Sequence, residues 1–272
     1  NVYVNEYIGT KSDVVFPDSL FGKAVDGIDR AFNFNGKTIT SVTFPESYKE
    51  INVNFSNHFE LKKVTFLSDK VNLNNTSFYN TSIEEIALPV NEISAKNFEG
   101  CTDLKKIEFT GSGTLNIANN AFKSFRSIDS VTFSEDYKEI NIGRNAFDTT
   151  GISEISIPSS CNIDFAAFRH CENLKTVEIE NGNIIGNAFL NCSSLQSAKF
   201  NGDVSIERNA FLDCSSLKNI TIDISKNYNP EAFTSCKSLT QINGEDAFVN
   251  GEFAPEYKDF IYVEPDPEIW QR

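Results

Sequence analysis

A chain of 272 residues, 40% of them apolar, can bury a continuous core and could form one long domain or two ordinary ones. Its formal net charge of −14 argues against nucleic acid or an anionic membrane as partner. No apolar run reaches the roughly 18 residues of a membrane-crossing helix, so no membrane span is expected.

Phenylalanine is used 24 times and tryptophan once, a skew that arises when one structural slot is filled repeatedly. No basic-then-apolar leader stands at Asn1, a start consistent with a removed signal peptide. Residues 1–31 precede the first repeat and are read as an N-terminal cap. From there a phenylalanine recurs at Phe32, Phe55, Phe78, Phe98, Phe122, Phe147, Phe168, Phe189, Phe211, Phe233 and Phe248. The steps run from 20 to 25 residues, except the last, which is 15 and marks the end of the array.

After each phenylalanine come a leucine slot and two alternating apolar positions. Examples are Leu104, Ile107 and Phe109; Leu174, Val177 and Ile179; Leu195, Ala198 and Phe200; and Leu217, Ile220 and Ile222. The alternation predicts a short strand with every second side chain buried. A second strand-like piece leads into many of the phenylalanines, as in INVNF, INIGRNAF and DVSIERNAF. Asn181-Gly182, Asn201-Gly202, Pro45, Pro89 and Pro158 supply turns. The units at Phe78 and Phe147 are one residue short between the phenylalanine and the leucine slot, and the unit at Phe32 is one residue long. SVTFPESYKEINVN at Ser41–Asn54 returns 89 residues later as SVTFSEDYKEINIG, a separation of four average repeats.

A unit this short cannot bury its own apolar face, so neighbours must stack into a solenoid. Strands about 4.8 Å apart along the stack make about eleven coils a core on the order of 50 Å long. One domain is expected, with cap 1–31, repeats 32–248 and a C-terminal cap or tail 249–272.

The consensus AF-x-x-C-x-x-L-x-x-I-x-I resembles the BspA-like, or Treponema-type, leucine-rich repeat proteins over roughly residues 5–250. The stretch YIGTKSDVVFPDSLFGKAVDGIDRAF looks like the opening segment of such arrays. The resemblance implies an α/β, strand-rich repeat solenoid, wound as a right-handed superhelix with a parallel sheet on its concave face. It also implies a secreted or cell-surface protein of a bacterium, with members implicated in adhesion.

Five of the six cysteines, Cys101, Cys171, Cys192, Cys214 and Cys236, lie three residues after the repeat phenylalanine; Cys161 does not. Elsewhere the slot holds Asn35, His58, Thr81, Phe125 and Thr150. Parallel rungs do not converge on a tetrahedral metal site, and there is no C-x-x-C pair, so no metal is expected. A fixed phase that tolerates threonine and asparagine fits buried packing. A disulfide, foremost at Cys161, is the alternative.

Chemistry is sparse. His170 beside Cys171 reads as a surface histidine next to a core thiol, and His58 as a partly buried occupant of the cysteine slot. Glu84 with Glu85, Glu135 with Asp136 and Glu178 with Glu180 read as solubilising charges on a shallow face, without the cleft that a glycosidase needs. No Walker loop, G-x-S-x-G or H-E-x-x-H occurs. No enzyme activity and no cofactor is expected.

A partner could sit on the outward row of the I-x-I strands. There we single out Lys63, Thr65, Glu85, Lys106, Glu108, Glu154, Glu178, Lys199 and Thr221 as candidate binding residues. The outward rows lack the Trp, Tyr and Arg anchors of tight interfaces. The expectation is a monomeric extracellular binding module or adhesin for a protein or glycan, with a structural spacer in a larger surface protein as the alternative.

Overall fold

The structure is a computed structural model and describes residues 3–25, 27–73, 75–223, 228–246, 248–249 and 252–253. Its chain winds as a strand-rich parallel β-solenoid of about ten turns. The tail 254–272, including Trp270, lies outside the described residues.

Each turn contributes a strand to a first ribbon, beginning with Asp13–Val15, Ser41–Phe44 and Lys63–Phe66 and ending at Gln241–Ile242. These are the predicted I-x-I strands, and their alternate residues are buried, as in Glu85–Leu88 with Ile86 and Leu88 inside. A second ribbon is built from Glu92–Ile93, Gly113–Ile117, Tyr137–Ile142 and Val204–Ile206. Two long strands, Glu154–Ile163 and Thr176–Ile184, run through both ribbons. Every pairing between coils is parallel; the antiparallel pairs are local hairpins such as Ser19–Leu20 with Lys23–Ala24.

The repeat phenylalanine turns the corner between the ribbons. Nine rings from Phe55 to Phe233 form one unbroken file. Its most nearly parallel close steps include Phe168–Phe189 at 5.1 Å and Phe189–Phe211 at 4.8 Å. The backbone is knitted at the same place: Phe147, Phe168 and Phe189 N–H each donate at 2.7 Å to the carbonyl of the alanine before the next coil's phenylalanine. Ala167, Ala188 and Ala210 are fully buried there.

The expected helical component of an α/β fold is not found among the described residues. Their one helical piece is the 3₁₀ turn Pro230–Phe233. The reason is local. In the five corners from Phe122 to Phe211 two residues take a left-handed conformation, for example Asn187 (φ 61°) with Asn191 (φ 59°) and Asn209 (φ 61°) with Asp213 (φ 59°). A left-handed residue every few positions stops helix propagation, and the corners close instead through i→i+3 bonds such as Cys192 N–H to Phe189 O.

The duplicated SVTF…YKEI stretch also has a structural reason. Tyr137 is buried and donates its hydroxyl to Val90 O at 2.6 Å while accepting from Gly111 N at 2.9 Å. Its counterpart Tyr48 donates to Pro17 O at 3.1 Å. Each tyrosine fastens a corner to an earlier coil, and burial pushes both phenols up to about 12. A single apolar cluster extends from Val14 to Ile242.

Candidate functional site

The outward rows of the first ribbon stand in the register that the sequence predicts. Lys63 faces Ser41, Lys106 faces Glu85 and Ser130, and Glu154 faces Thr176. On the adjacent row Thr65 faces Thr43, Glu108 faces Thr132, and Glu178, Lys199 and Thr221 follow one another on successive coils.

The ribbon is interrupted twice. Lys63–Phe66 has no ladder to Glu85–Leu88, and Ser130–Phe133 has none to Glu154–Ile163. Both interruptions fall where the incoming strand belongs to a unit one residue short, that of Phe78 and that of Phe147. The shortened corner displaces the strand it delivers, and the regular hydrogen bonding to the coil before it is lost.

Each interruption opens a groove. The first, about 520 Å³, is lined by Lys63, Thr65, Glu85, Lys106 and Glu108 among others. The second, about 540 Å³, is lined by Glu154, Glu178 and Lys199 together with Thr132, Pro158 and Thr176. Eight of the nine candidate residues therefore gather into two groups, and Thr221 borders neither groove.

Charges inside the grooves are partly neutralised. Lys199 Nζ lies 2.6 Å from Glu178 Oε1, and this bond, aided by Asn201, lowers the Glu178 carboxyl and raises the lysine. Lys106 Nζ lies 2.6 Å from Glu108 Oε1, which raises Lys106. Such exposed pairs contribute little to stability, about 0–1 kcal/mol. Among the described residues Lys63, Glu85 and Glu154 enter no ion pair. They are the candidate residues whose charges are free to meet a ligand.

The thiols belong to the core. All six cysteines are free and buried, so the disulfide alternative for Cys161 is not realised. Cys161 sits in the second ribbon between Ile140 and Gly182, where burial pushes its thiol up to about 12. The in-phase thiols do more than fill space. Cys192 donates to Phe168 O at 3.2 Å, Cys214 to Phe189 O at 3.2 Å, Cys171 to Phe147 O at 3.2 Å and Cys101 to Phe78 O at 2.9 Å. Thr150, a substitute occupant, donates to Phe147 O at 2.9 Å, which explains why the slot accepts a hydroxyl. Burial raises Cys171 and Cys214 well above the ordinary thiol range, and it opposes ionisation of Cys192 between them as well. No nucleophile is exposed in this file.

Comparison with known proteins places the repeat. The pattern described as "BspA type Leucine rich repeat region" matches residues 29–142 and 140–250 in six copies. The chain belongs to the BspA-type leucine-rich repeat family. Solved structures similar to this BspA-type chain include a leucine-rich repeat protein from Bacteroides ovatus, 19% identical, covering 85% of this chain and 80% of that one at a TM-score of 0.39. A leucine rich cell surface protein from Faecalibacterium prausnitzii is 18% identical, covering 88% and 89% at a TM-score of 0.39. The leucine rich repeat protein of T. pallidum is 16% identical, covering 86% and 81% at a TM-score of 0.33. None of the curated proteins compared with this chain matches it.

The histidines fit the core-and-surface reading for this BspA-type array. His58 is half-buried against the ring of Phe34 at 5.0 Å, and burial lowers its pKa. His170 is half-buried with φ 57° beside Cys171. A feature unseen in the sequence is Asp148, buried directly after the repeat phenylalanine. Arg169 from the next coil donates to both its oxygens, at 2.7 and 3.3 Å, a two-pronged contact that satisfies the carboxylate inside the corner.

Proposed function

We propose that this chain is a non-enzymatic extracellular binding module of a bacterial surface, an adhesin-type domain that holds a partner protein on the first ribbon. On this reading the coils wind right-handed with that ribbon on the concave face, and the chain acts as a monomer. The observation that carries the reading is the first groove. There Lys63 and Glu85 stand without ionic partners on either side of an interruption in the sheet. Mixed charge beside an uneven floor favours a specific polar protein contact over non-specific adsorption. Family membership supports the binding role, since stacked repeats offer an extended surface.

Replacing Lys63, Lys106, Glu154 and Glu178 together by alanine tests the assignment on a panel of immobilised extracellular-matrix proteins. Retention of wild type and loss by the variant are expected; equal retention removes the first ribbon as the docking face. The spacer reading draws on one feature, the lack of Trp, Tyr or Arg in the outward rows, and predicts no retention of either protein.

A further inference from the structure

The second ribbon carries a different surface. Its outward row, in register, is Glu92, Asn116, Asn141, Asn162, Asn183 and Ser205. The four asparagines are linked head to tail. Asn183 Nδ2 donates to Asn162 Oδ1 at 2.9 Å, Asn162 to Asn141 at 2.8 Å, and Asn141 to Asn116 at 3.0 Å. They line a groove of about 610 Å³ whose margin carries the part-exposed Ala118 and Ile185 and the acidic Asp164 and Glu207.

A primary amide has two N–H donors and an oxygen with two lone pairs. The ladder takes one donor from each of three rungs, and Asn162 spends its second on Glu139 at 3.1 Å. What remains is a donor on each of Asn116, Asn141 and Asn183 and an oxygen lone pair on every rung. Neighbouring rungs fix the orientation of each, so little side-chain freedom is left to lose on binding.

We propose that this amide-lined groove is a binding track for a neutral polysaccharide in an extended conformation. Hydroxyls both donate and accept, as the remaining amide groups do. An extended β-linked hexose chain advances by about one coil per sugar, the coils being spaced like the stacked rings at 4.8 to 5.3 Å. Because an extended β-1,4-linked chain turns each sugar over relative to the last, equivalent hydroxyls meet the ladder at every second rung, and the rungs between meet the opposite edge of the sugar. Ala118 and Ile185 offer apolar contact to the C–H faces of the rings. Glu92, Asp164, Glu207 and the net charge of −14 disfavour a polyanion. The proposal rests on the reading of the chain as a binding module but uses a separate face and ligand class.

The test is native electrophoresis of the whole chain in gels containing a soluble β-1,3-glucan, a soluble β-1,4-glucan derivative without charge, or a galactomannan, with alginate as the acidic control. Retardation by at least one neutral polymer is expected, with at least tenfold weaker affinity for Asn141→Thr combined with Asn183→Thr. Asn116→Leu, at the exposed end of the ladder, should also weaken retardation while leaving the other rung contacts in place. Thermal unfolding midpoints within a few degrees of wild type show that the variants fold. If the threonine pair fails to fold, Asn116→Leu alone decides. The first-ribbon alanine variant should be retarded like wild type. The proposal is overturned if no neutral polymer retards the chain, if only alginate does, or if folded asparagine variants are retarded as strongly as wild type.

Discussion

Phe189 is the most closely stacked ring of the file, and removing it gives the sharpest test of how the coils hold together. Its side chain is fully buried, with Phe168 at 5.1 Å and 3° and Phe211 at 4.8 Å and 7°. Truncation of a buried phenylalanine to alanine costs about 3–5 kcal/mol, and with partners on both sides Phe189→Ala is expected at the upper end. Phe189→Leu keeps most of the apolar volume and loses the two ring pairs. At about 0.5–1.5 kcal/mol per pair it should cost about 1–3 kcal/mol. Urea unfolding followed by circular dichroism reads both values, provided that the slope of the transition is unchanged. Phe168→Leu combined with Phe189→Leu should cost less than the sum of the singles, because the pair they share is lost only once. If Phe189→Leu matches wild type to within about 0.5 kcal/mol, the file is not a source of stability beyond burial.

Three further outcomes follow from the same geometry. Native protein should show no thiol reactive toward a bulky disulfide reagent, and denaturant without reductant should expose six; fewer than six would mean that a bridge exists. Gly182→Ala should destabilise by more than ~2 kcal/mol in the same urea assay, because its φ is 131° and a new Cβ would overlap the carbonyl oxygen of Cys161. Unfolding like wild type would contradict that overlap. Burial lowers the pKa of His58 in the fold, so the unfolded chain binds the proton first as pH falls. Stability should therefore drop as pH passes below the ordinary imidazole range, and His58→Gln should remove part of that slope; an unchanged slope assigns the effect elsewhere.

The coil and its register were readable because one slot sets both. The phenylalanine spacing placed the ring file, and the I-x-I alternation named the outward rows that pair as Glu85–Lys106–Ser130 and Ser156–Glu178–Lys199. The corners were misread in one respect, because a leucine-rich repeat suggests a helical side. Here left-handed residues, most of them Asn, close the corners as turns. The single-residue deletions at Phe78 and Phe147 were visible, but their effect was not: a sheet tears only when strands are placed next to each other. The asparagine ladder had a signal that went unused, since Asn116, Asn141, Asn162 and Asn183 each stand six residues before a repeat phenylalanine. The thiol-to-carbonyl bonds left no such trace, because packing and weak donation both ask for a small buried cysteine.

The central claim is that the interrupted first ribbon is the docking face for a protein. Amide hydrogen exchange measures this most directly, on the whole chain with and without the matrix protein that retains it. Slowed exchange is expected at residues 63–66 and 85–88, the two strands that border the missing ladder. Protection confined to other coils, with these two strands unchanged, would contradict it.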